Sequence, residues 1–314
     1  MNRPLRVFAG RSNRDLAREI CDCLNIPLGK VTFSRFANDN LFVQIEESVR
    51  ESDVFVVQSS CPPVSEHLVE LLILIDALRS ASASRITAVL PYYPYVRSDK
   101  KDQPRISITA KLVAQLLKAA GAGRVLTMTL HSPQIQGFFD VPVDHLQSTP
   151  VLCDYFSRLP IIRQCVAVAP DAGSAKRAGT YAQRLNLPLA FVDKRRIGNT
   201  DEVTSRAVVG DVRGRPVIVF DDEISTGGSL LGAVEVLRAA GAGDIYVGCT
   251  HGVLCGPAVQ RIAESPIREV VVTNTVPVPP EKRHPKIRVL SVAPLFAEAI
   301  LRTHTGQSID SLFL

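Results

Sequence analysis

Two adjacent carboxylates, Asp221 and Asp222, end the apolar run "VIVF", and "STGGS" (225–229) begins three residues later. Like charges side by side repel, so keeping them implies something that relieves the repulsion, either hydroxyl donors or a divalent cation. Ser225, Thr226, Gly227, Gly228 and Ser229 open a segment with helical spacing. Backbone N–H groups there can wrap an anion at the positive helix end, and the glycines let it approach closely. Acids that accept hydrogen bonds from the 2- and 3-hydroxyls of a ribose, beside a loop that can wrap a phosphate, are one reading. Acids that hold a metal are the second reading, and an exposed strand-end turn is the plain one. The loop lacks the Gly-Lys-Ser/Thr ending of a Walker A motif.

Other stretches carry reactive side chains. His131 follows the strand-like "RVLTMTL" and precedes a polar, aromatic turn with Asp140 and Asp144. By itself it suits a metal ligand, a phosphate contact or a structural histidine. The segment "PYVRSDKKDQPRIS" (94–107) is long and basic, with Val96 and Ile106 as its aliphatic residues. Such a loop is a solvated excursion or a functional lid.

The elements that must position these residues are legible as apolar runs of strand length: 54–58, 86–93, 124–130, 165–170, 189–193, 216–222, 244–250, 269–275 and 287–292. They lack polar alternation and are separated by segments of helical spacing, which predicts parallel strands covered on both faces in a doubly wound α/β architecture. In such sheets ligands bind beyond the carboxyl ends of the strands, where the acid pair falls. "AAGAGRVLTMTLH" (119–131) and "AAGAGDIYVGCTH" (239–251) share one frame. Each reads as a helix closed by glycine, then a strand ending at histidine, which predicts two related halves.

The chain has 314 residues, enough for two cores, with 46% hydrophobic and 21% charged residues. No apolar run reaches the roughly 18 residues of a membrane helix. The N-terminal residues pass straight into a strand-like run, which predicts no signal peptide and a cytoplasmic protein. Seven cysteines without a CxxC pair read as reduced core thiols. The net charge of +5 suits phosphate-rich ligands and gives no sign of a nucleic-acid surface. His67 and His251 read as element ends, His284 and His304 as solvated.

The loop at 225–229 resembles the phosphoribosyl-binding loop of type I phosphoribosyltransferase-like proteins. "LHSPQIQGFFDVPVDHL" (130–146) resembles the signature of ribose-phosphate diphosphokinases, the phosphoribosyl pyrophosphate synthetases. The likeness runs through "PYYPYVRSDKK", "APDAGSAKRA", "VDKRR" and "VAPLFAEAI" and covers nearly the whole chain. It implies two related type I phosphoribosyltransferase-like domains, each a mostly parallel sheet covered by helices, at 1–147 and 148–314. The last residues are expected to pack back on the first.

The implied activity is transfer of the β,γ-diphosphate of ATP to ribose 5-phosphate, with Mg2+ required and ATP and ribose 5-phosphate as substrates. A nucleotide-binding regulatory paralogue without activity is the alternative. The resemblance makes His131 and Asp171 the metal pair, and Lys194 and Arg196, with His131, the catalytic residues. It gives ATP to Phe36, Asn38, Asn40, Arg97, Ser98, Asp99, Lys101 and Arg105, and the sugar phosphate to Asp221, Asp222 and residues 225–229. Asn38, Asp39 and Asn40 stand where many members have an acidic-Gly-acidic run, and Ser225 where an acid is common. A homo-oligomer, dimer-based or hexameric, is implied, with ATP reached across a subunit boundary. No nucleic-acid or membrane partner is expected.

Overall fold

The computed structural model describes residues 3–195 and 205–312. Two compact units emerge: one of residues up to Gln147, Thr275–Pro277 and from Ser291 onward, the other of Ser148–Asn274 and Val278–Leu290.

In the first unit the chain runs β1 (Leu5–Ala9), α1 (Arg14–Leu24), β2 (Val31–Arg35), β3 (Leu41–Ile45) and β4 (Asp53–Val57). It continues through α2 (Val64–Ser80), β5 (Arg85–Leu90), α3 (Thr109–Ala120), β6 (Arg124–Met128) and β7 (Val143–Leu146). β1, β4, β5, β6 and β7 form a parallel sheet in that order. β2 and β3 make a separate antiparallel hairpin. The central strands are buried on both faces, as their unbroken apolar character requires. The acid inside the apolar α2 is satisfied rather than exposed: Glu70 Oε1 accepts from the Arg11 N–H at 2.6 Å and from Gln58 Nε2 at 2.9 Å.

The second unit contains α4 (Thr149–Ser157), β8 (Val166–Ala169), α5 (Ala175–Leu185), β9 (Leu189–Arg195), β10 (Ser205–Val209) and β11 (Val217–Ile224). Then come α6 (Gly228–Ala239), β12 (Ile245–Gly252), α7 (Ala258–Glu264), β13 (Ile267–Thr273) and β14 (Ile287–Leu290). The sheet order is β10-β9-β8-β11-β12-β13-β14, parallel except for β10. The repeated segments occupy equivalent crossovers, β5–α3–β6 and β11–α6–β12, and Gly121 and Gly241 close their helices at φ +124° and +84°.

One close approach sits directly behind the acid pair. Gly248 of β12 lies opposite Phe220 of β11, and a Cβ there would stand 2.7 Å from Phe156 and 2.9 Å from Phe220. Phe220 also stacks on Tyr181, ring centroids 4.1 Å apart. Gly248→Ala must displace this aromatic cluster, at a cost of about 1–3 kcal/mol. The expected readout is a lower urea midpoint at unchanged slope.

Finally α8 (Ala293–Thr305) belongs to the first unit and packs on α1. Here one expectation is corrected. His304 is not solvated: its side chain is 14% exposed and its Nδ1 lies 2.8 Å from Oδ2 of the fully buried Asp53, which Arg85 Nε also reaches at 3.0 Å. A buried carboxylate needs such partners, and α8 brings one from far along the chain.

All seven cysteines are free thiols and five are buried. Burial pushes the Cys21 and Cys165 thiols up to about 11 and Cys153 up to about 12, which suits packing rather than redox chemistry. Among the described residues no helix is long and apolar enough to cross a membrane.

Candidate active site

In the second unit, β11 is buried through Phe220 and then delivers Asp221 and Asp222 with side chains 16% and 5% exposed. The loop that follows is held from outside itself. The Leu254 and Cys255 N–H groups donate to the Ile224 and Ser225 carbonyls at 3.0 and 2.9 Å, and Arg261 Nη1 donates to the Thr226 carbonyl at 3.1 Å. Gly227 caps α6 at φ +77°, a conformation that favours glycine, and no side chain caps that helix end. Thr226, Gly228 and Ser229 are exposed and Ser225 is half-buried. A Cβ at Gly228 would meet nothing nearer than 3.8 Å, so the backbone here is open to a ligand. The loop therefore has the form of an anion cradle on a twelve-residue helix.

The acid pair is not left to itself. Arg177, in the first turns of α5, donates through Nη1 to Asp222 Oδ1, and the same nitrogen lies 3.8 Å from Asp221 Oδ1. The Asp222 N–H donates to Asp221 Oδ1 at 2.9 Å. Burial, together with the Asp222 charge, pushes the Asp221 carboxyl well above the usual carboxylate range, and Arg177 offsets only part of that. Sequence reasoning missed Arg177. Its signal was a buried-strand acid pair that demands a countercharge, and a basic residue inside "APDAGSAKRA".

Asp171 follows β8 and caps the short helical turn at 172–174, its Oδ1 accepting from the Ser174 N–H at 2.9 Å and from Ser174 Oγ at 3.1 Å. Lys194 is the penultimate residue of β9, opposite Arg206 of β10. Arg196 lies outside the described residues. Because β9, β8 and β11 are neighbours, Lys194, Asp171 and the acid pair all lie towards the carboxyl edge of one sheet.

In the first unit, His131 is exposed just beyond β6. The turn leading to it holds Thr129 at φ +43°, an uncommon conformation for a β-branched residue. The buried His145 of β7 accepts the Leu130 N–H on Nε2 at 2.8 Å, which fixes this backbone. Arg97, Ser98, Asp99, Lys101 and Arg105 lie on the excursion after the adjacent β5. That excursion is tied down at its base: the Ala110 N–H donates to the Ser98 carbonyl at 3.2 Å, and Tyr93 Oη donates to the Ala110 carbonyl at 2.9 Å.

Phe36, Asn38 and Asn40 are at the tip of the β2–β3 hairpin, outside the five-stranded sheet of the first unit. Phe36 is 58% exposed and meets Phe42 edge-on. Asn38 Oδ1 accepts the Asn40 N–H at 3.3 Å, so the amide that replaces an acid still shapes the turn. Arg35 pairs with Asp39 and with Glu66 of α2, and Arg11 pairs with Glu66 at 2.9 Å, so the hairpin is tethered to the sheet's helix layer.

Among the described residues, no group of three or more His, Cys, Asp or Glu gathers as a metal cage. A Mg2+ ion that keeps most of its waters needs only one or two protein ligands beside substrate phosphates. Taken separately, exposed His131 in the first unit and Asp171 in the second, its Oδ1 taken by its cap, each have the donor chemistry of such a ligand.

Comparison with known proteins bears on these loops. The N-terminal domain of ribose phosphate pyrophosphokinase matches residues 5–121, and the phosphoribosyl synthetase-associated domain matches residues 199–314. The ribose-phosphate pyrophosphokinase of Deinococcus radiodurans is 55% identical over 99% of this chain and 98% of its own. That of Rhodopirellula baltica is 51% identical over 99% of both. The crystal structure of phosphoribosylpyrophosphate synthetase from Mycobacterium smegmatis superposes with a TM-score of 0.92 at 46% identity, covering 97% of this chain and all of that one. The fold is thus that of type I phosphoribosyltransferase-like α/β domains. With two matching family domains and full-length likeness at this level, the chain belongs to the ribose-phosphate pyrophosphokinase family.

Proposed function

We propose that the protein transfers the β,γ-diphosphate of ATP to the C1 hydroxyl of ribose 5-phosphate, giving phosphoribosyl pyrophosphate and AMP. The observation that carries this is the acid pair near the end of β11 beside a glycine-capped helix entrance that no side chain caps. The 5-phosphate sits on the N–H groups of residues 225–229, and Asp221 and Asp222 accept from the 2- and 3-hydroxyls. That leaves C1 pointing away from the cradle. Its oxygen bonds to the β-phosphorus of ATP as the bond from that phosphorus to the α,β-bridging oxygen breaks, and the hydroxyl proton is released.

Such transfer needs positioning and charge neutralisation more than covalent help. Lys194 supplies a point charge and Arg196 a bidentate fork for the moving group. Arg97, Ser98, Asp99, Lys101 and Arg105 form the ATP side of the site, with Phe36, Asn38 and Asn40 also binding ATP and Phe36 stacked on adenine. The loop through Arg105 closes over ATP. Mg2+, held by His131 and Asp171, neutralises phosphate charge when bound. The domains are 1–147 and 148–314, with the last residues packed back on the first, and the working form is a homo-oligomer in which a neighbouring copy's hairpin completes the nucleotide site.

The test is AMP formation by the purified protein with ATP and Mg2+, with and without ribose 5-phosphate. Sugar-dependent AMP, with the diphosphate on C1 of the product, is expected. Folded protein that releases no AMP with any nucleoside triphosphate would place it among silent regulatory paralogues.

A further inference from the structure

The acid pair carries two negative charges in a largely buried corner that must also admit a doubly charged sugar phosphate. Two uncompensated carboxylates there would repel each other and the incoming phosphate, and either could rotate away. Arg177, on the unit's own scaffold, changes this balance. Arg177 is 23% exposed, and its Nη1 serves Asp222 directly and Asp221 at 3.8 Å. The backbone contributes the Asp222 N–H to Asp221 Oδ1. Cys249 of β12 lies opposite Asp221 in the strand register with its thiol held neutral by burial, and Glu223 adds a further acid, so neither offsets the pair's charge.

Arg177 also sits on the helix that follows Asp171 within six residues, so one strand-to-helix turn delivers the capped Asp171 and the arginine that grips Asp222. We propose that Arg177 is a positioning residue for the sugar site: it locks Asp222, sets the facing of the acid pair and makes ribose 5-phosphate affinity depend on a group outside the phosphate loop. This rests on the sugar-phosphate reading of that loop. Nη1 alone reaches Asp222 and lies 3.8 Å from Asp221, so towards these two acids a point charge at that position can serve in place of a planar fork.

The test compares Arg177→Ala and Arg177→Lys with the wild type, by calorimetric binding of ribose 5-phosphate with Mg2+ and by steady-state kinetics for each substrate. Arg177→Ala is expected to weaken ribose 5-phosphate binding and raise its KM by at least about tenfold, with the KM for ATP within about twofold. Arg177→Lys is expected to recover most of the loss. Equal changes in the two KM values, or a lysine variant no better than alanine, overturns the proposal. If alanine at this position unfolds the protein, the lysine variant still decides: near wild-type sugar affinity supports a positioning charge and a full loss refutes it. Should the wild type bind ribose 5-phosphate yet release no AMP, the enzymatic reading fails while the binding comparison still judges Arg177.

Discussion

Replacing Lys194 by alanine is expected to lower kcat by roughly a hundred- to a thousandfold, about 2.7–4 kcal/mol of transition-state stabilisation. Both KM values should change little, because the charge it meets develops only as the diphosphate moves. Lys194 stands one residue from the end of β9, and β9 runs beside β8, whose own end leads to Asp171. Alanine keeps the backbone hydrogen bonds of the β9–β10 and β9–β8 ladders, so the thermal midpoint should stay where it is. AMP release in single turnover, with a melt followed by circular dichroism, checks both halves. Wild-type turnover from a folded variant rules the role out. A raised KM at unchanged kcat would instead make Lys194 a ground-state contact.

Much of this scaffold is readable from the chain. Nine apolar runs correspond to β4, β5, β6, β8, β9, β11, β12, β13 and β14, because strands buried on both faces carry few polar positions to disguise them; β14, with Arg288 and Val289 exposed, is the exception. The hairpin β2–β3, the four-residue β7 and the antiparallel β10 escaped. Along β2 and β3 buried or half-buried positions mix with exposed ones, and β7 is too short for any period to register. At the site, the acid pair and the glycines were legible because their pattern is local, falling within residues 221–229.

What stayed hidden is what folding brings from afar. Arg177 and Asp222 are 45 residues apart, and His304 and Asp53 are 251 apart. No spacing rule links such residues. The need for a partner is nonetheless visible in each buried acid, since a carboxylate taken from water must be paired. An unpaired acid in an apolar run therefore predicts that a cation exists without saying which one. Glu70 in α2 makes the same point, with Arg11 as its answer.

Asp221→Asn should separate stability from function in opposite directions. The Asp221 carboxyl is pushed up by burial and by Asp222, so the folded protein holds its proton more tightly than the unfolded chain does. An acid of that kind costs stability once the pH exceeds its unfolded value of about 3.9, and the cost grows until the raised folded value is passed. Asparagine cannot ionise and escapes the cost. The ligand-free variant should therefore be more stable than the wild type by about 0.5–2 kcal/mol at neutral pH. The advantage should vanish in acid, where both side chains are neutral. With ribose 5-phosphate present the order reverses, because the wild type gains ligand stabilisation that the variant has largely lost. An amide accepts a sugar hydroxyl less strongly than a carboxylate, so kcat/KM for ribose 5-phosphate should fall roughly tenfold to a hundredfold, from the 1.5–3 kcal/mol of a charged hydrogen bond. Urea titrations across pH, with and without the sugar, measure both effects in one protein. A variant less stable than the wild type at neutral pH without ligand would show that Arg177 more than balances the pair, and that the repulsion between these two acids is already resolved before any sugar arrives.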